Sequence, residues 1–397
     1  MSMKFNFAKR ADTLKASEIR ELLKLTEKPE IISFAGGLPA PELFPIREIT
    51  EIVQYIFEHD GQAALQYSAT EGFVLLREII ANKRMLLAGV KTTPENILIT
   101  AGSQQGIDFS ARLFLDDGDY VICEDPSYLG AINVFNTYHA KYLPIPMDEE
   151  GMIMEELEKT LQAYPQAKLI YTIPDFQNPT GRTMSIPRRK RLAELAAQYK
   201  IAVIEDNPYG ELNFEGKRYP AIKSFDTEGW VIYFGSFSKT FCPGYRIGWV
   251  CAEDRALNKF VMLKQVADLQ CSSVAQREVA YYMQRYDLDE HVAAIIEVYK
   301  KRRDLMLAGI AKHFPAGVKY TLPKGGLFTW VELKPGIDAA ELLIEALKEN
   351  VAFVPGAPFF ANGGNHNFLR LNYSNMPEER IVEGIERLGK VLHAYYD

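Results

Sequence analysis

The sequence predicts an α/β protein built on a mixed, mostly parallel sheet, with a smaller α+β domain beside it. Two observations carry that expectation. Short, almost wholly apolar runs alternate with amphipathic helical patterns, as strands buried on both faces alternate with the helices that cover them. Beyond about residue 290 the alternation gives way to a long helical pattern and then to strands with hairpin-like returns.

The elements follow in order. Ile97-Leu98-Ile99-Thr100 is the first strand and precedes a helix from Ser103. Tyr120-Val121-Ile122-Cys123 precedes a helix beginning near Tyr128. The third run, 169–173, leads through Pro187 into a helix over 188–199, proline being tolerated in a first turn. Runs 201–204 and 231–234 complete the five strands. Helix 291–314, strand 327–331, helix 338–350, strands 352–354 and 368–372, and a last helix after Met376 make the second unit. Near the start, 17–26 reads as a short helix stopped by Pro29. The expected division is an N-terminal arm with part of the small domain (1–50), a large domain (51–290) and a small C-terminal domain (291–397).

Composition narrows the function classes. The chain has 397 residues, 47% hydrophobic and 24% charged, which is globular usage and long enough for two domains. A net charge of −7 argues against a nucleic-acid or anionic-membrane surface, which needs a basic excess. No apolar run approaches the ~20 residues of a membrane span. MSMKFNFAKRAD carries charges where a signal peptide needs its apolar core. Cys123, Cys242, Cys251 and Cys271 show neither zinc nor disulfide spacing. A cytoplasmic protein without a metal is expected.

Ligands of open α/β sheets collect beyond the carboxyl ends of the strands. Five polar clusters fall there: Gly102-Ser103-Gln104, Asp125-Pro126-Ser127-Tyr128, Asn178-Pro179-Thr180-Gly181, Asp206-Asn207-Pro208-Tyr209 and Ser236-Phe237-Ser238-Lys239. Singly, each has an ordinary reading: Ser103 as a helix cap, 178–181 as a turn, Asp206 as a strand-end carboxylate. Their recurrence in register at one edge favours a site. A lysine, an aspartate, an asparagine, tyrosines and a Ser/Arg anion cradle match the demands of pyridoxal phosphate. A lysine amine bonds its aldehyde reversibly. A carboxylate opposite the pyridine nitrogen keeps it protonated, so that the ring draws electrons. A helix start plus a planar guanidinium suits the phosphate.

The motifs make the match specific. "SFSKTFCPGYRIGW" resembles the cofactor-lysine segment of fold-type-I pyridoxal-phosphate aminotransferases, class I/II. "QNPTG", "EDNPYGEL", "YSATEG" and "FLRLNYS" resemble that family's other signatures, in the same order. "SFAGGLPAPELFP" and "VAFVPGAPFFANGG" are similar to the 2-aminoadipate/kynurenine aminotransferase branch, and the likeness spans almost the whole chain.

The resemblance implies a role for each site residue. Lys239 holds the cofactor and moves the substrate's α-proton. Asp206 pairs with the pyridine nitrogen, Asn178 and Tyr209 bond the ring hydroxyl, and Tyr128 stacks on the ring. Ser103, Gln104, Ser236, Ser238 and Arg246 hold the phosphate, and Tyr67 reaches the phosphate of a neighbouring subunit, making a homodimer. Arg370 binds the substrate α-carboxylate with help from Asn178 and the Gly36-Gly37 backbone. Arg20 lies in "KASEIRELLKLTEKPE", where Ile19, Leu22 and Leu23 form an apolar face. Pattern alone makes it a solvated helix arginine; the resemblance implies a helix over the entrance whose arginine meets the distal carboxylate of acidic substrates. Leu22, Leu23, Phe359 and Phe360 are expected near that entrance.

Two other classes compete. One is a lyase or other non-transaminating enzyme of the same fold, because the cofactor does the hard chemistry. The other is a ligand-sensing module of a transcription regulator, which the acidity of the chain and the start of the match by about residue 17 disfavour. The substrates expected are an amino acid (2-aminoadipate, aromatic or branched-chain) and a 2-oxo acid such as 2-oxoglutarate.

Overall fold

The computed structural model describes residues 7, 8, 11 and 28–396; the helix expected at 17–26, and Arg20 with it, lies outside them. The central sheet contains β2 (Ile97–Thr100), β3 (Tyr120–Asp125), β4 (Lys141–Asp148), β5 (Gly151–Met152), β6 (Leu169–Thr172), β7 (Ala202–Asn207), β8 (Val231–Ser236) and β9 (Gly248–Cys251). Their spatial order is β2-β9-β8-β7-β6-β3-β4-β5. Strands β8, β7, β6, β3 and β4 run parallel, β5 turns back along β4, and β9 is antiparallel to both its neighbours. This is the mixed, mostly parallel sheet expected of the α/β class.

Both faces of the sheet are covered, which is why its strands read as unbroken apolar runs. Ile122, Ile170, Val203 and Val231 pack on one face against Leu157 and Leu161 of helix Met154–Ala163 and Leu192 and Leu195 of helix Ile186–Tyr199. Their strand neighbours Val121, Tyr171, Ile204 and Ile232 join the larger core on the other face. Strands β4, β5 and β9 escaped the sequence reading. Pro144 and Pro146 disguise β4, which lies next to the edge and is only partly buried. The short run Gly-Trp-Val-Cys of β9 follows a turn and carries no alternation.

A second, antiparallel sheet orders β10 (Lys319–Tyr320), β11 (Phe328–Glu332), β14 (Phe368–Asn372) and β13 (Val354–Pro355) as β10-β11-β14-β13. The strand expected at 352–354 is two pieces. Residues Val351–Ala352 form β12, which pairs in parallel with β1 (Ile32–Ser33), and after Phe353 the chain crosses to the second sheet. The long helix spans Leu288–His313 and packs on the last, Glu378–Tyr396. Among the described residues no helix is long and apolar enough to cross a membrane.

Candidate active site

The carboxyl ends of β2, β3, β6, β7 and β8 open on a cavity of about 280 Å³, closed on the other side by Gly37, Phe328 and Arg370. Because β9 runs against its neighbours, its first residue lies at this same edge, and Arg246 just before it joins the site.

Asp206 is the buried acid of the cavity, 2% exposed. Its Oδ2 accepts the Tyr171 hydroxyl (2.8 Å), while Oδ1 has no hydrogen-bond partner among the described residues. Burial raises this carboxyl to about 6, with the Tyr171 and Ser103 hydroxyls pulling the other way. An orphaned carboxylate oxygen in such a place calls for a cationic or N–H partner. Sequence reasoning missed Tyr171, because nothing local marks a strand tyrosine as the neighbour of an aspartate 35 residues on.

Lys239 lies three residues past the end of β8. Its Nζ donates to the Gly37 carbonyl at 2.7 Å. Burial, and then the cations Arg370 and Arg246, lower this amine to about 8. A far larger share of it is therefore a free nucleophile near neutral pH than of an ordinary lysine. Among the described residues that line the cavity it is the only primary amine.

At one end of the cavity the groups suit a polyanion. Helix Ser103–Phe114 starts after Gly102, and no side chain caps its first turn. Gly102 has φ +72°, and a Cβ there would meet the Arg246 guanidinium at 2.7 Å, so only glycine lets the arginine close on the helix start. Arg246, itself at φ +54°, donates to the Ser238 hydroxyl and the Ala101 carbonyl, each at 3.3 Å. The Ser238 N–H donates to Ser236 Oγ at 3.1 Å. Two serines, a guanidinium and an uncapped helix start converge.

Arg370 lies across the cavity on β14 and is 2% exposed. Its Nη1 donates to Asn178 Oδ1 and its Nη2 to the Ala35 carbonyl, both at 2.8 Å, and its Nε has no partner among the described residues. The guanidinium stacks over Phe328 at 4.2 Å from the ring centroid. Burial lowers it to about 10, and among the described residues no carboxylate pairs with it. A buried cation held by neutral acceptors, with a free N–H, is built for an anion that arrives. Tyr128, Gln104 and Tyr209 also line the cavity. The Tyr128 hydroxyl donates to Gln104 Oε1 at 3.3 Å, and Tyr209 packs edge-on against Phe328.

A buried ion pair behind the site holds two of its loops. Arg189 Nη2 meets Asp175 Oδ1 at 2.5 Å, and the same guanidinium donates to the carbonyls of Pro174 and Met184, the two ends of the loop that carries Asn178. Asn207 bonds Asp175 Oδ2 through Nδ2 and accepts the Gly210 N–H, both at 2.8 Å, which steadies the turn of Tyr209.

Tyr67, expected at the phosphate of a neighbouring subunit, is 78% exposed and lies outside this chain's own cavity. Phe359 and Phe360 are corrected: both are buried in an aromatic cluster with Trp330 and Phe368 and do not line the cavity, the Phe359 ring lying 5.2 Å from the Arg370 guanidinium.

Comparison with known proteins places this architecture among the fold-type-I pyridoxal-phosphate enzymes. Residues 37–388 match the family described as "Aminotransferase class I and II", and the chain belongs to it. It is 45% identical over 391 residues to an aromatic-amino-acid aminotransferase of Thermococcus litoralis, covering 97% of this chain and 94% of that protein. The kynurenine aminotransferase of Pyrococcus horikoshii, solved in complex with PMP, superposes with a TM-score of 0.94 at 43% identity, covering 98% of both chains. The α-aminoadipate aminotransferase of Thermus thermophilus, complexed with N-(5'-phosphopyridoxyl)-L-leucine, gives 0.91 at 42%, again over 98% of both. The chain is thus a pyridoxal-phosphate-dependent aminotransferase of the 2-aminoadipate/kynurenine branch, and the lyase and regulator readings are not favoured.

Proposed function

We propose that this aminotransferase moves the α-amino group of acidic, aromatic and branched-chain amino acids to a 2-oxo acid, with 2-oxoglutarate as acceptor, in two alternating half-reactions. The observation that carries it is Arg370, a buried guanidinium with an unpartnered Nε, facing the cavity that holds the Lys239 amine. Both groups line one cavity, which supports reading Arg370 as the anchor for an α-carboxylate and Lys239 as the proton-carrying amine, with the amino acid's side chain left to point elsewhere. The similar proteins named for aromatic substrates, kynurenine and α-aminoadipate support breadth, as does the leucine adduct of one of them. Methylene-scale differences are worth only ~1–3 kcal/mol in such pockets.

When bound, pyridoxal phosphate supplies the aldehyde that takes up the amino group and a ring that draws electrons from the reacting carbon. The orphaned Asp206 Oδ1, the uncapped helix start and the lone amine fit its nitrogen, phosphate and aldehyde. Asp206 would hold a proton at the ring nitrogen. Ser103, Gln104, Ser236, Ser238 and Arg246 would hold the phosphate, Asn178 and Tyr209 would bond the ring hydroxyl, and Tyr128 would stack on the ring. Lys239 Nζ carries the α-proton, and Gly37 with Asn178 and Arg370 seats the α-carboxylate. We assign residues 1–50, 51–290 and 291–397 to the arm, the large domain and the small domain. Four unpaired, buried cysteines agree with a reducing, cytoplasmic setting.

The active unit is a homodimer in which Tyr67 reaches the phosphate held by the neighbouring subunit. Leu65 and Tyr67 are 72% and 78% exposed, Val266 83%. The Ser68 hydroxyl donates to Gln270 Oε1 at 2.8 Å, joining the two segments into one exposed apolar region.

Arg370→Lys is expected to raise KM roughly 10- to 100-fold for acidic and apolar amino acids alike, since a point charge replaces a fork at the group every substrate shares. An effect confined to one side-chain class would remove Arg370 from the α-carboxylate site. The side-chain reading is tested by a panel of amino acids against 2-oxoglutarate, with the parent and Arg20→Ala. The variant should lose about 10- to 100-fold in kcat/KM for 2-oxoglutarate and 2-aminoadipate, the worth of one hydrogen bond to a charged group. Leucine and phenylalanine should stay within about threefold. Equal losses in both classes would mean that Arg20 reads no distal carboxylate.

A further inference from the structure

Glu124, near the end of β3, is 1% exposed and does not line the cavity. Its Oε1 accepts the Thr172 hydroxyl at 2.6 Å. Its Oε2 accepts the Ile173 N–H at 3.2 Å and the Gln177 side-chain amide at 3.1 Å. Gln177 is fully buried and extends the link: its Nε2 also donates to the Pro126 carbonyl at 2.8 Å, and its Oε1 accepts the Thr180 N–H and hydroxyl at 2.9 and 2.7 Å. Strands β3 and β6 are neighbours, and the loops that leave them carry Tyr128 and Asn178. One carboxylate thus receives three donors and joins the two strand ends, directly at 172–173 and through Gln177 at 126 and 180.

Asn178 follows Gln177 in the chain and accepts from Arg370 at 2.8 Å. We infer that Glu124 is a positioning residue for amino-group transfer: through Gln177 it locks the Asn178 loop to the Tyr128 loop and so aims the Asn178 amide that orients Arg370. The inference rests on reading Arg370 as the α-carboxylate anchor. A carboxylate suits the place because its three partners are all donors, and leaving them unpaired in a buried site lets the loop drift. Misplacement by about 1 Å at a reacting centre is worth up to ~10²-fold in rate.

The test is a double-mutant cycle on the cofactor-loaded enzyme, read as kcat/KM with a fixed amino donor, each variant first checked for folding by circular dichroism. Glu124→Ala and Asn178→Ala should each lose roughly 10- to 100-fold. The double variant should fall less than about threefold below Asn178→Ala alone, since coupled residues are not additive. Glu124→Gln, which still accepts from two N–H groups, should stay within about fivefold of the parent. If Glu124→Ala does not fold, Gln177→Ala cuts the same link at its other end and should show the same coupling. Losses that multiply independently, or a Glu124→Ala variant as active as the parent, overturn the inference alone. An Asn178→Ala variant with parental activity overturns the reading of the α-carboxylate site as well.

Discussion

Lys239→Ala should abolish both the visible absorbance of the lysine-linked cofactor and steady-state amino transfer. Among the described residues no second primary amine lines the cavity, so neither the covalent attachment nor the proton transfer has a substitute there. Loss of the proton carrier alone is worth about 10²–10⁴-fold, and loss of attachment comes on top of it. A variant that keeps the absorbance would mean that a different lysine holds the cofactor. The same position makes a stability prediction for the cofactor-free protein, with Lys239→Met filling the space. The folded-state value of about 8 lies below the usual 10.5, so the buried ammonium opposes folding at neutral pH. At about 1.36 kcal/mol per unit, the methionine variant should be more stable by about 3 kcal/mol below pH 8. That advantage should shrink as pH rises from 8 and vanish above about 10.5. Urea unfolding at pH 7 and pH 10.5 measures it; equal differences at the two pH values would show that the charge of Lys239 is not what matters.

Asp206→Asn should separate stability from chemistry. The amide keeps the shape and an oxygen for the Tyr171 hydroxyl, but it cannot hold a positive ring nitrogen. Catalytic turnover should fall by about 10²–10³-fold, the scale on which one preorganised electrostatic contact acts. Cofactor should still bind. In the cofactor-free protein the carboxyl has been raised from 3.8 to about 6, so its charge opposes folding above pH 6 and not below 3.8. The asparagine variant should therefore be more stable at pH 7 by about 3 kcal/mol, and no more stable at pH 3.5. An asparagine variant with parental turnover would remove Asp206 from the reaction.

Much of the site was legible because its chemistry is local. Ser103, Asn178, Asp206, Tyr209 and Lys239 each follow a buried apolar run by a few residues, and strands of one sheet end at one edge. Arg246 was legible through its motif, although the reason it reaches the site is the reversed direction of β9, a strand the periodicity did not reveal. Phe359 and Phe360 were misjudged for the opposite reason. Two aromatic residues after a Pro-Gly turn look the same in sequence whether they face a substrate or a core.

The sequence by itself determined the five strands whose ends build the site, what chemical groups stand at those ends, and hence the class of cofactor. Those are properties of neighbours along the chain, where apolar runs and turn residues act over a few positions. Only the tertiary structure decided which groups meet. Lys239 bonds a carbonyl 202 residues away, and Arg370 bonds Asn178 and Ala35 across 192 and 335 residues. Strand order and register set those distances, and no local pattern encodes them. The same holds for the charges. Lys239 is lowered and Asp206 raised because every surrounding element excludes water from them, and burial of that kind is a sum over the whole fold.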